Sequence, residues 1–97
     1  MIKHLTEAYL EANATAPSAT DAEVKVELYN DTDGVVITSV TFAGEGGHKV
    51  SSNIALELKN YSGKLLCGRI NVTTASATSG ATQTFRSILL RLVYDFT

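Results

Sequence analysis

The chain has few of the residues that build catalytic and metal sites. Its 97 residues include one cysteine, Cys67, two histidines, His4 and His48, and no tryptophan. A single cysteine cannot form a disulfide within the chain, so the fold does not depend on an oxidising compartment. None of the three residues has a second metal ligand at local spacing, and a zinc site would have to join distant parts of the chain. We therefore expect no metal site and no cofactor.

The sequence also lacks the short motifs of familiar enzymes. The glycine-rich stretch at residues 44–49 fits neither the dinucleotide-binding template nor a P-loop, and we interpret it as a loop. Residues 31–34 resemble the start of a calcium loop, but Tyr29 and Val40 would occupy ligand positions, which favours an Asx turn. No Gly-x-Ser-x-Gly elbow is present. Since Cys67 is best explained as a half-buried thiol, we predict no catalytic residue and a protein that is not an enzyme.

Long apolar runs and basic clusters are missing as well. The first residues carry charges and lack the unbroken apolar stretch of an export signal, and no later segment could span a membrane. Basic residues are too few, and too poorly interleaved with aromatic residues, for nucleic-acid binding. We expect no nucleic-acid or membrane partner and a location in a virion or a host cytoplasm. We attribute the Asn-x-Ser/Thr triplets to turn preference and chance; they begin at Asn13, Asn30, Asn60 and Asn71.

The two halves of the chain carry opposite net charge. Residues 1–48 hold two lysines and eight acidic residues, a net charge of −6, whereas residues 49–97 hold six basic and two acidic residues, a net charge of +4. One interpretation is that acidic and basic strands lie side by side and pair across a sheet. The other is a bipolar surface that favours head-to-tail contact between copies. We favour the first because pairing within a small sheet needs no partner.

Alternating apolar residues predict two β-hairpins in the middle of the chain. Residues 22–29 alternate apolar and polar side chains, and turn residues at 30–34 lead to a returning strand over about residues 35–42. A second hairpin is predicted from residues 54–59, which turn at residues 60–63 and return over residues 66–72. The side chains expected to face the core are Ala22, Val24, Val26, Leu28, Val36, Val40, Phe42, Ile54, Leu56, Leu58, Leu66, Gly68, Ile70 and Val72.

The two ends of the chain are harder to assign. Residues 1–14 fit an amphipathic helix that Pro17 terminates. Residues 73–84 are small and polar, which predicts a loop or an extended arm. Residues 85–96 match both a helical and a strand period, and we favour a strand because Ile, Val, Tyr and Phe prefer strands. A C-terminal helix in an α+β fold is the alternative.

Together these elements predict one domain over residues 1–97, with a helix at 1–14, a linker at 15–21, and a β domain at 22–97 that carries a polar loop at 73–84. The fold class is mainly β, a small antiparallel β-sandwich for which an immunoglobulin-like arrangement is one form. We expect a non-enzymatic structural or assembly protein, such as a small phage virion, decoration or appendage subunit, that forms a homo-oligomer or binds a protein partner. The alternative is a compact phage or bacterial binding module that inhibits or adapts another protein.

Overall fold

The computed structural model describes residues 4–97 and is built mainly from β-strands. In chain order these are β1 (Leu5–Ala14), β2 (Glu23–Asn30), β3 (Val35–Ala43), β4 (Gly47–Val50), β5 (Leu66–Thr74) and β6 (Phe85–Tyr94). A short helix, α1 (Ala55–Leu58), continues into a 3₁₀ turn at Lys59–Tyr61. The strands form two antiparallel sheets, with orders β4-β1-β6 and β3-β2-β5. The predicted mainly-β, sandwich-like class is confirmed, while an immunoglobulin-like arrangement stays a prediction.

The β2–β3 hairpin forms as its alternation and its turn residues predict. Asn30 is buried at the turn, where its Oδ1 accepts hydrogen bonds from the backbone N–H groups of Thr32 and Asp33. Gly34 has φ +72°, a left-handed conformation that glycine adopts without steric cost. An Asx turn is therefore present, but its acceptor is Asn30, one of the triplet asparagines, and not an aspartate of residues 31–34 as predicted.

The β3 strand turns Val40 and Phe42 inward as predicted, whereas Val36 is exposed. Its pairing with β2 slips by one residue at Ile37, which is the extra residue of a β-bulge. The bulge reverses the alternation beyond it, so Ile37 packs against the core in place of Val36.

The helix predicted at residues 1–14 is wrong. Residues 5–14 form β1, and residues 1–3 lie outside the described residues. The inward side chains of β1 do alternate; they are Ala8, Leu10, Ala12 and Ala14. Three of these four are alanines, which favour helices and give a weak apolar signal, so the helical period stood out in the sequence. Pairing with β4 on one side and β6 on the other overrides that local preference.

The strand predicted at residues 54–59 is instead one helical turn. The Oδ1 of Asn53 accepts a hydrogen bond from the N–H of Ala55, and the N–H of Leu58 donates to the carbonyl of Ile54. Ile54 and Leu58 are therefore buried on one side of the turn, while Leu56 is exposed. Alternate apolar residues fit a strand, but a spacing of four between the buried pair fits a helix equally well.

The strand predicted over residues 85–96 is confirmed, which excludes the alternative C-terminal helix. Its strand, β6, pairs antiparallel with β1 along its length. The return strand predicted at residues 66–72 is also present as β5, but its partner is β2 because residues 54–59 offer no strand.

The polar stretch at residues 73–84 forms the end of β5 and then the predicted loop. The loop is fastened to the linker at residues 15–21. Asp21 accepts hydrogen bonds from the Ser76 hydroxyl at 2.6 Å and from the Ala77 N–H at 2.9 Å. Backbone and hydroxyl groups of Ser18 also bond to Thr82. The stretch is thus bound along the body of the sandwich and does not extend as an arm.

The core lies between the two sheets in two clusters. One cluster surrounds Leu10, Leu28 and the buried residues of α1, and the other contains Val26, Val40 and Phe42. Phe42 is completely buried, and its ring meets the edge of the Phe85 ring at a centroid distance of 5.4 Å. This geometry is one that aromatic pairs prefer.

We expect the Phe42→Ala variant to lose about 3–5 kcal/mol of unfolding free energy, because it removes the largest fully buried side chain and leaves a cavity. Phe96, which is 95% exposed, provides the matched control, and Phe96→Ala should change the unfolding free energy by less than about 0.5 kcal/mol. Urea unfolding followed by circular dichroism measures both. Equal losses in the two variants would contradict this placement of the core.

Candidate interaction surface

The residues singled out for chemistry lie on different parts of the fold. Cys67 was predicted to be half-buried but is exposed on β5, opposite Tyr29. His48 lies on β4 in the other sheet, and His4 is exposed before β1. Within residues 4–97, no three His, Cys, Asp or Glu side chains come together as metal ligands. None of the helices in this part of the chain is long and apolar enough to cross a membrane. The notable polar groups instead form two clusters on the outer faces of the sheets.

The first cluster joins β6 to β1. Glu11, which is buried, accepts hydrogen bonds from the Nε of Arg91 and pairs with the Nε2 of His48 at 2.9 Å. The Arg91 guanidinium also stacks over the Tyr9 ring, 4.6 Å from its centroid. The Arg91 hydrogen bond holds the pKa of the Glu11 carboxyl below its ordinary value, and burial opposes it only in part. Glu11 therefore remains ionised and keeps its hydrogen bond to Arg91 on the edge strand β6.

The second cluster joins β5 to β2 with the same chemistry. The Nε of Arg69 donates to Glu27 at 2.6 Å, and Glu27 is buried. The Arg69 guanidinium stacks over the Tyr29 ring at 3.8 Å, and the Glu27 hydrogen bond raises the pKa of Arg69. In each sheet, then, a buried glutamate and a tyrosine on the central strand hold an arginine of the edge strand.

These pairs explain the opposite charges of the two halves of the chain. Lys64 contacts Asp33 at 3.2 Å, and Lys49 contacts Glu45 at 3.0 Å. Together with Arg69 and Arg91, four of the six basic residues in the second half are paired with acidic residues of the first half. The charge split therefore corresponds mainly to pairs within one chain, which agrees with the first of the two interpretations, although only Arg69–Glu27 and Arg91–Glu11 join neighbouring strands. Arg86 has no ion-pair partner among residues 4–97.

One side of the sandwich is much less covered than the other. We call it the open side; it is formed by the edge strands β5 and β6, which approach each other where Ile88 lies over Gly68. No residue after Leu58 is buried in the described chain. Apolar side chains that face inward from the two strands stay substantially exposed: Ile70 by 47%, Val72 by 57%, Ile88 by 37% and Leu92 by 43%.

The β6 strand carries apolar residues on both of its faces, although Ser87 and Arg91 also lie on the outer one. Its residues 88, 90 and 92 pair with inward-facing residues of β1, so they face inward, while Leu89 and Val93 lie on the outer face. Such a pattern is typical of a strand that is covered on both sides, whereas an edge strand with one wet face usually alternates apolar and polar residues. This pattern also explains why residues 85–96 match both a helical and a strand period.

An apolar groove marks one end of the open side. It encloses about 480 Å³ between β5, the linker and the loop that precedes β6. Its apolar lining includes Pro17, Val24, Ile70, Val72 and Phe85. The groove offers contact to apolar side chains but has no charged group in its lining to orient a polar ligand.

The open side could not be found from the sequence alone, because alternating apolar residues predict strands but not the order of the strands in a sheet. Ile70 and Val72 were expected to face the core, and only the sheet order places them, with Ile88 and Leu92, at the margin. The available signal was the two-faced apolar pattern of residues 88–93. Comparisons of the chain with protein-family models, with curated proteins and with solved structures found no match.

We expect the contribution of the ionised Glu11 carboxylate to the free energy of unfolding to disappear in acid. The folded chain lowers the pKa of Glu11 below its ordinary value of 4.5, so the unfolded chain takes up the proton first as the pH falls. The contribution is complete above about pH 5 and is lost as the pH falls through 4.5 toward the folded pKa. Glu11→Gln should therefore be less stable than the parent protein at pH 7, and this difference should shrink at pH 3.5.

Urea unfolding at the two pH values measures this difference. Glu57→Gln is the matched control, because Glu57 is exposed on α1 and its carboxylate makes no hydrogen bond or ion pair among residues 4–97. A gap between Glu11→Gln and the parent that is equally large at both pH values would contradict the role given to the Glu11 carboxylate.

Proposed function

We propose that the chain is a non-enzymatic structural or assembly protein that works through contacts with other protein chains. The class of small phage virion, decoration and appendage subunits fits this role, with a virion or host cytoplasm as the location. The observation that carries the proposal is the open side, where two strands of nine and ten residues contribute no buried side chain. Contiguous exposed apolar surface of this kind marks interaction sites in natural proteins.

The overall dimensions agree with an uncovered side. The radius of gyration is 15.0 Å, whereas a compact domain of this length has about 12.5 Å. The accessible surface is 5773 Å², compared with about 5,350 Å² expected for a compact monomer of this mass. Both quantities are those of an elongated molecule, with principal extents of 51 × 27 × 16 Å, which leaves more side-chain surface uncovered than a compact domain does.

A second candidate function is a compact phage or bacterial module that inhibits or adapts another protein. The observation that favours it is the free edge of β3, whose residues 35–43 include no charged residue and no proline. Natural edge strands usually carry such residues to prevent pairing, and a bare edge can accept a strand of a foreign protein. The two candidates differ in which side of the sandwich meets the partner.

The expected result for the assembly role is self-association that increases with concentration. Light scattering coupled to size exclusion, over a series from micromolar to millimolar protein, should show masses above the 10.3 kDa of one chain. Apolar contact should survive high salt, whereas head-to-tail docking of opposite charges would weaken as salt increases. A chain that stays at 10.3 kDa throughout the series would contradict self-assembly and favour the binding-module candidate.

A further inference from the structure

We infer that the partner at the open side is a second copy of this chain, which pairs antiparallel with β6 about a two-fold axis at Leu90. The inference rests on the proposed function and names its partner. The two β4-β1-β6 sheets would join at their β6 edges into one six-stranded sheet. No strand among residues 4–97 pairs with the outer edge of β6, so its N–H and C=O groups are free to form this ladder.

The apolar residues of β6 are complementary to themselves under this symmetry. Ile88 and Leu92 lie two residues before and two residues after Leu90, so each faces the other across the axis. All three point inward, because they pair with Ala12, Ala8 and Leu10 of β1. The exposed parts of Ile88 and Leu92 would thus cover each other, which is what an isologous interface requires.

The charges at the two ends of β6 are complementary in the same arrangement. Arg86 lies near the start of β6, and Asp95 follows its last residue. Arg86 is the extra residue of a β-bulge in β6, and antiparallel pairing about Leu90 would bring it level with Tyr94 of the other copy, with Asp95 next to it. One oxygen of the Asp95 carboxylate already accepts hydrogen bonds from the N–H and hydroxyl groups of Thr97, which leaves the other oxygen for Arg86. Each dimer therefore contains this contact twice. Arg86 is available for it because it has no ion-pair partner among residues 4–97.

The other long edges do not offer this match. Self-pairing of β5 would bring basic residues together without an acidic residue, since residues 58–94 contain none. Self-pairing of β3 would bring Asp33 at its start near Glu45 of the other copy, and like charges oppose that contact. Head-to-tail docking of β3 on β5 would have to use Asp33, Lys64 and Arg69, which are already paired within one chain.

Lysine substitutions at matched edge positions test which strand forms the contact. Leu92→Lys should raise the dimer Kd by about thirtyfold or more, because it places a charge at the centre of an apolar contact. Val72→Lys on β5, Val36→Lys on β3 and Leu56→Lys on α1 change other exposed apolar residues and should each alter the Kd by less than about threefold. Sedimentation equilibrium measures the Kd, and circular dichroism shows that each variant is folded.

A charge exchange tests the orientation of the two strands. Arg86→Glu and Asp95→Arg should each raise the Kd by roughly three- to tenfold, because each places like charges at both ends of the contact. The double variant should return most of the affinity, since it restores opposite charges with their positions reversed. Additive losses in the double variant would overturn the antiparallel arrangement.

A cysteine at the proposed axis gives a direct readout. In a Cys67→Ser background, Leu90→Cys should form a disulfide-linked dimer under mild oxidation, since opposite Cα atoms in antiparallel strands lie about 4.5–5.5 Å apart. Ser39→Cys on β3 is the control and should stay monomeric on a denaturing gel. Preferential linkage through Ser39→Cys would overturn the inference.

The failure of this inference can be distinguished from the failure of the proposed function. An oligomer that persists in Leu92→Lys but dissociates in Val72→Lys or Val36→Lys would retain the assembly role and place the contact on another strand. A parent protein that remains a monomer at every concentration would overturn both the β6 dimer and self-assembly.

Discussion

The hydrogen-bonded pairs between arginine and buried glutamate hold the two edge strands of the open side in place. The inward side chains of β5 and β6 are only partly covered, so apolar burial contributes less to these strands than to the rest of the sandwich. Arg69 on Glu27 and Arg91 on Glu11 add charge-assisted hydrogen bonds, and a tyrosine ring beside each arginine fixes the direction of its guanidinium. The same chemistry in both sheets holds two strands whose own core contacts are weak.

This arrangement divides the molecule into a packed side and an open side. All buried residues of the described chain lie at or before Leu58. The α1 turn packs at one end of the core, and a short loop at residues 44–46 crosses from β3 to β4 on the side opposite the open side. Gly44 lies at this crossing with φ +71°, and a Cβ there would overlap the carbonyl of Thr20, so the chain is tightly packed at that corner. The loop at residues 75–84 crosses from β5 to β6 at one end of the other side, but the two strands that it joins contribute no buried side chain. Many of the charged side chains are paired within the chain, while apolar side chains stay exposed on the open side. Such a surface is suited to apolar contact with another chain.

The sequence predicted the elements whose signal is strong and local. The alternation at residues 22–29, the Asx turn ending at Gly34 and the β-rich residues 85–94 each led to the correct strand or turn. The prediction was wrong for β1, where small residues form the inward face. The alanines of this segment favour a helix, and only its pairing with two other strands makes it a strand. The prediction failed again at Ile54 and Leu58, which fit both periods, and at Val36, where a bulge changes the phase. The open side depends on sheet order, which long-range pairing determines and local patterns do not encode.

Residues 85–96 match both a helical and a strand period, and the reason for this bears on the contact proposed for β6. A strand of a two-layer sandwich with one wet face is expected to show polar residues at every second position, and β2 does so with Glu23, Lys25 and Glu27. In β6, Leu89 and Val93 break that rule on the outer face, so the segment also matches a helical period. Exposed edge strands usually carry charged residues or prolines that prevent pairing, and the stretch from Ser87 to Leu90 has neither. The β6 dimer proposed above would place this stretch inside a six-stranded sheet, where a low density of charge is usual.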